Sequence, residues 1–125
     1  MYGDSYLRVS LKEVQNIYKT KTGPLMVIYK NFDQFDISNV CLEGNNIFYC
    51  KNNPIKGSEY IDYGLSIFDK KHFFEVKQTE FDLSLIQEMY SEKGNLQFFL
   101  SKERFYEIGS MKGLKELDEL LNGNK

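Results

Sequence analysis

Tryptophan is absent from this chain of 125 residues, histidine occurs once, and cysteine and proline occur twice each. Each scarcity closes off a class of chemistry. Cys41 and Cys50 are too few for a disulfide framework, and neither belongs to a cluster with metal-ligand spacing. Free thiols in a cytoplasmic chain is the natural reading. With His72 as the single histidine, neither H-E-x-x-H nor a Cys/His zinc set can be written, and no G-x-S-x-G occurs. Zinc and acyl-transfer chemistry therefore find no support. His72 sits beside Phe73 and Phe74 in a short amphipathic stretch, with no Ser or Cys nucleophile near it in sequence. A structural or exposed role is expected for it. No apolar run approaches the ~20 residues of a membrane helix, and neither a signal peptide nor a membrane partner is expected. The net charge of −2 and the scattered basic residues disfavour a nucleic-acid partner.

What is present is an ordinary globular composition, 42% hydrophobic and 27% charged. The length allows one domain at most, with room for a core. Tyr and Phe make up 15% of the residues and supply aromatic bulk for a core or for sugar stacking.

The stretch Glu59-Tyr60-Ile61-Asp62-Tyr63-Gly64-Leu65-Ser66-Ile67-Phe68 organises the rest. Its apolar side chains fall on both sides of an extended chain, which predicts a strand buried in a sheet and covered by helices. Asp62 and Gly64 do not suit a plain core strand. They mark either a bulge with an edge carboxylate or a place where a ligand approaches the backbone.

Around this strand the chain divides into short elements. Residues 1–7 read as the end of a strand, with Gly3-Asp4-Ser5 as its turn. Ser10 caps a helix over residues 10–18, Glu13 completes a capping box, and Leu11, Val14, Ile17 and Tyr18 form its apolar face. Leu25-Met26-Val27-Ile28-Tyr29-Lys30 is a buried strand, which makes the opening segment, helix and strand a βαβ-type connection. Residues 38–43 and 47–51 form a hairpin around Gly44-Asn45-Asn46. Asp69 caps a short helix to residue 76, and Asp82 caps a longer one to about residue 91. Residues 95–100 and 104–107 are strand-like. Gly109-Ser110 opens a last helix, with Leu114, Leu117, Leu120 and Leu121 toward the core. The sum is a mixed α/β layer structure, a mixed β-sheet flanked by helices.

Three charged positions could carry chemistry. Asp4 and Glu107 each stand at the end of a strand, where open α/β sheets bind ligands. Together they could hold Mg²⁺, which takes oxygen ligands and shares them with substrate phosphates. Taken singly, each is also an ordinary turn or cap residue. Lys51 ends the second hairpin strand beside a loop, where an ammonium can neutralise a phosphate or simply face solvent.

Four blocks carry a resemblance. Tyr-Gly-Asp-Ser-Tyr-Leu (2–7), Ser-Asn-Val (38–40), Tyr-Ile-Asp-Tyr-Gly-Leu-Ser-Ile-Phe (60–68) and Arg-Phe-Tyr-Glu-Ile-Gly-Ser-Met-Lys-Gly-Leu (104–114) occur in this order. Together they resemble the later part of the bacterial sugar-1-phosphate nucleotidyltransferases, the NDP-sugar pyrophosphorylases. The resemblance implies the second half of a Rossmann-like nucleotidyltransferase fold. It implies a catalytic, metal-binding role for Asp4, a second Mg²⁺ ligand in Glu107, and a sugar-phosphate contact in Lys51. Asn39, Asp62, Tyr63 and Gly64 would line the sugar pocket. Two departures stand out. Relatives often carry Glu before the lysine, where this chain has Cys50. The family's Gly-rich loop with its Arg is missing, so nothing here cradles a triphosphate.

The expectation is a partial domain over residues 1–125 that lacks the nucleotide-binding half and is inactive alone. Its implied partners are a sugar 1-phosphate and an NTP, and self-association is expected through uncovered apolar strands. A non-catalytic sugar-phosphate-binding or assembly domain is the alternative.

Overall fold

The computed structural model describes residues 5–123. In chain order the elements are β1 (Ser5–Tyr6), α1 (Leu11–Ile17), β2 (Leu25–Lys30), β3 (Val40–Glu43), β4 (Asn46–Tyr49), β5 (Tyr60–Ile67), a 3-10 turn (Lys70–Phe73), α2 (Leu83–Glu92), β6 (Gln97–Ser101), β7 (Tyr106–Glu107) and α3 (Met111–Gly123). Five strands form a mixed sheet in the order β4-β3-β5-β2-β6, and β1 pairs with β7 in a separate two-stranded ribbon.

β2 shows why the sheet has two covered faces. Alternate side chains of a strand point to opposite sides. Met26 and Ile28 join Val40, Ile47, Tyr49 and Leu96 in a core that Tyr90 of α2 helps to close. Leu25 and Val27 join Tyr63, Leu65 and Val14 of α1 in the other core. Leu25, Met26, Val27 and Ile28 have no exposed surface. The uncovered strands expected from the sequence are therefore covered. Exposed apolar groups lie elsewhere, among them Met111, Leu114 and Leu121 of α3.

β5 is interrupted where its sequence is odd. It pairs antiparallel with β2, but Met26↔Ser66 is followed by Ile28↔Asp62, so β5 carries extra residues as a bulge. Gly64 lies inside it with φ +91°, a conformation that disfavours any side chain. On its other side β5 meets β3 only at Val40↔Tyr60.

Local chemistry sets the element ends. Ser10 Oγ accepts the Glu13 N–H, Asp69 accepts the Lys71 N–H, and Asp82 accepts the Ser84 N–H. Glu43↔Asn46 closes the hairpin around Gly44-Asn45, and Gly44 has φ +61°. His72 is buried and structural. Its Nδ1 accepts the Asp69 N–H at 2.9 Å, and its Nε2 lies 3.1 Å from the Thr22 carbonyl.

Several expectations need correction. The segment expected to run as a helix to residue 76 is a 3-10 turn that ends at Phe73. Ser5 belongs to a strand, and that strand joins β7 instead of the sheet of β2, so among the described residues no βαβ unit forms there. In α1 only Val14 is buried, while Leu11 and Ile17 are more than half exposed. In α3 only Gly113 and Leu117 are buried. The buried side of α2 includes Ser84, Gln87 and Ser91 along with Ile86. Ser91 Oγ accepts the Tyr49 N–H and donates to the Ile47 carbonyl, so a polar residue stitches α2 onto β4. Among the described residues no helix is long and apolar enough to cross a membrane.

Candidate functional site

A cavity of about 340 Å³ opens beside the β5 bulge. Its wall comes from four places in the chain: the loop before β3 (Asp36, Ile37, Asn39), the end of the hairpin (Tyr49, Lys51), the first half of β5 (Ile61, Asp62, Tyr63, Gly64) and the segment at β7 (Phe105, Glu107). Of the site residues expected from sequence, Asn39, Lys51, Asp62, Tyr63, Gly64 and Glu107 all lie on this one cavity. Asp4 lies outside the described residues.

The loop forming one rim is built on Asn31, which is fully buried. Its Nδ2 donates to the Asp36 carbonyl at 2.7 Å and to Ser38 Oγ at 3.1 Å, and its Oδ1 accepts the Phe35 N–H at 3.1 Å. Asp33 Oδ1 accepts the Ser38 N–H at 2.6 Å. Phe32 and Asp33 both have positive φ, an uncommon conformation that these bonds hold in place. The consequence is a fixed rim carrying Asp36 and Ile37.

The floor is where β3 leaves β5. Asn39 Oδ1 accepts the Asp62 N–H at 3.1 Å, and Asp62 Oδ1 accepts the Gly64 N–H at 2.9 Å. Two side chains thus occupy backbone donors that no neighbouring strand takes. Tyr63 is buried, and its hydroxyl donates to the Arg104 carbonyl at 3.2 Å and accepts the Arg8 N–H at 3.3 Å. Its ring meets Phe105 edge-on, with centroids 5.7 Å apart. Tyr63 therefore keeps both its ring and its polar end in the fold and fixes the strand that borders the cavity.

Glu107 is placed by two contacts. It pairs with Ser5 across the β1–β7 ribbon, which brings the last and the first sequence blocks side by side. The first turn of α3 closes on its carbonyl: an ideal Cβ at Gly113 would stand 1.7 Å from the Glu107 oxygen. Only glycine allows that approach.

Lys51 is held by α2. Its N–H donates to Glu88 Oε1 at 2.9 Å, and its ammonium donates to Asp82 Oδ2. That hydrogen bond, and after it the Ser84 N–H, hold the Asp82 carboxyl below its ordinary range.

The charged and amide groups on the wall are the Lys51 ammonium, the carboxylates of Asp36, Asp62 and Glu107, and the Asn39 amide. Carboxylate and amide acceptors suit a ligand rich in hydroxyl groups, and the ammonium suits an anionic group on it. Oxygen donors also suit a hard cation. Among the described residues, no three His, Cys, Asp or Glu gather into a metal-holding group. That is compatible with Mg²⁺, which commonly takes one or two protein carboxylates and completes its shell with phosphates and water. Sequence reading missed Asn31, Asp36, Ile37, Phe105 and Asp82. Asp82 reads from sequence only as a helix cap.

No protein-family model matches the chain, and no curated protein is significantly similar to it. Among solved structures, the chain is similar to a Bacillus anthracis protein provisionally assigned as a glucose-1-phosphate thymidylyltransferase, solved in complex with a sucrose. The TM-score is 0.70 and the identity 18%, over 94% of this chain and 51% of that one. The chain thus spans about half the length of the structure it matches. Its mixed, curled sheet flanked by helices is a sugar-nucleotidyltransferase-like fold.

Proposed function

We propose that this chain supplies the sugar-phosphate half of an enzyme that transfers a nucleotidyl group from an NTP to a sugar 1-phosphate. The products are an NDP-sugar and pyrophosphate. In this reading residues 1–125 are a partial nucleotidyltransferase domain, and the nucleotide-binding half lies outside this sequence. One observation carries it. Residues from three separate blocks of the resemblance, together with Lys51, line a single cavity, although nothing local in the sequence requires them to meet.

In the reaction, a phosphate oxygen of the sugar 1-phosphate attacks the α-phosphorus of the NTP and pyrophosphate leaves. Lys51 neutralises the sugar phosphate. Asn39 and Asp62 orient hydroxyl groups, and the Tyr63–Gly64 strand segment shapes the sugar's seat. Asp4 and Glu107 would hold Mg²⁺. When bound, that ion supplies neutralisation of the phosphate charge. The setting is cytoplasmic, where nucleotide triphosphates are available. Self-association stays in the reading only through apolar groups that remain exposed, such as Met111, Leu114 and Leu121. Sedimentation over a concentration series checks it.

The test is a titration of the ¹⁵N-labelled chain with glucose 1-phosphate, glucose, inorganic phosphate and an NTP. The expected result is amide shifts at Asn39, Lys51, Tyr63 and Gly64 with glucose 1-phosphate, larger than with glucose or phosphate alone. Shifts confined to other surfaces would overturn the assignment. Binding without turnover when the nucleotide-binding half is supplied would favour a non-catalytic sugar-phosphate-binding domain.

A further inference from the structure

The cavity's ammonium is already engaged. Lys51 Nζ is bonded to Asp82 Oδ2, a carboxylate that is not itself part of the cavity wall. We propose that Asp82 is a latch that holds Lys51 between ligands and yields it to a phosphate group, so that Asp82 positions Lys51 and sets the affinity of the site for anionic ligands. The proposal rests on the reading of Lys51 as the phosphate contact.

Three features make the pair separable. First, the two oxygens of Asp82 do different work. Oδ1 accepts the Ser84 N–H at 3.1 Å and caps α2, while Oδ2 takes the ammonium. Losing Lys51 leaves the cap intact. Second, Lys51 is anchored by its backbone. Its N–H donates to Glu88 Oε1, so the four-carbon stem can swing while the residue stays in place. Third, the pair is wet. The Lys51 and Asp82 side chains keep 44% and 58% of their surface in solvent, where an ion pair is weak and costs little to break. A phosphate monoester carries up to two charges and three acceptor oxygens against one carboxylate, so it wins the ammonium once it reaches the cavity. Between ligands, Asp82 keeps the lysine from wandering and lowers the cavity's appetite for stray anions.

The sign of this prediction is unusual for a residue next to a binding site. Removing Asp82's charge should tighten ligand binding. Asp82→Asn keeps an oxygen on the Ser84 N–H, since Asn caps helices about as well as Asp, and removes the competitor. Glucose 1-phosphate is titrated into the chain, Asp82→Asn, Lys51→Ala and the double variant, at low and high salt. The Asp82 carboxyl is followed by ¹³C NMR in the wild-type chain with glucose 1-phosphate and, separately, with inorganic phosphate.

Asp82→Asn is expected to bind glucose 1-phosphate about two- to fivefold more tightly at low salt, the range set by an exposed ion pair. The gain should shrink at high salt and vanish in the Lys51→Ala background. Ligand should raise the pH at which Asp82 titrates, because the ammonium has left it. Equal or weaker binding by Asp82→Asn, with the wild type binding normally, would overturn the latch and leave the proposed function standing. Glucose 1-phosphate failing to bind while inorganic phosphate still releases Asp82 would overturn the function and leave the latch. Neither ligand moving Asp82 or binding either protein would overturn both.

Discussion

Asn39 accepts the Asp62 N–H through its side-chain oxygen at 3.1 Å, at the point where β3 stops pairing with β5. A side chain thus takes the place of a strand, and the gap it spans is part of the cavity floor. Asn39→Ala should lower stability by about 1 kcal/mol, the net value of one such bond where water can partly replace it. It should also weaken glucose 1-phosphate binding. Chemical denaturation and the ligand titration measure the two effects. Unchanged stability would mean that the Asp62 N–H is satisfied equally well without Asn39.

Gly113 lies close against the backbone carbonyl of Glu107. Gly113→Ala would put a methyl group 1.7 Å from the Glu107 carbonyl oxygen. That forces α3 away from β7, at a cost of about 1–3 kcal/mol or more. Gly123→Ala is the control, because a Cβ there meets nothing within 4 Å. Denaturation midpoints should fall sharply for the first substitution and stay nearly unchanged for the second.

The Asp82 carboxyl is held below its ordinary range, first by the Lys51 ammonium. A carboxyl with a lowered folded-state pKa contributes stability above its unfolded value, near pH 4, and loses it as pH falls through the folded value. Stability should therefore decline on acidification below about pH 4, and this part of the decline should be smaller in Asp82→Asn. The pair is exposed, so salt should reduce the difference. Thermal melts between pH 2 and 6 at two salt concentrations provide the check.

The register Ser5↔Glu107 brings residues from the two outer sequence blocks together. In an assembly completed with the nucleotide-binding half, Asp4→Asn should reduce kcat severely with little effect on folding. Glu107→Gln should reduce it less if the longer side chain acts through water. Turnover measured against Mg²⁺ concentration decides. Wild-type metal dependence in Asp4→Asn would end the metal-site reading.

The features decided by the sequence alone are those whose partners lie a few residues away. Ser10 and Asp82 read as caps because each reaches an N–H two or three positions on. Gly44 read as a turn because the hairpin needs φ above zero there. β2 read as buried because all its first four residues are apolar. Tertiary structure decided the rest, because the partner is chosen by packing across the chain. The apolar residues of α1 and α3 could not tell which of them would find a neighbour, so Val14 is buried while Leu11 and Ile17 are not. Ser91 and Gln87 turn inward only because β4 and Ser66 offer them bonds. Lys51 and Asp82 were each legible as a strand-end lysine and a helix cap. Their pairing was not, since an ammonium on a flexible stem takes whichever carboxylate the fold brings within reach.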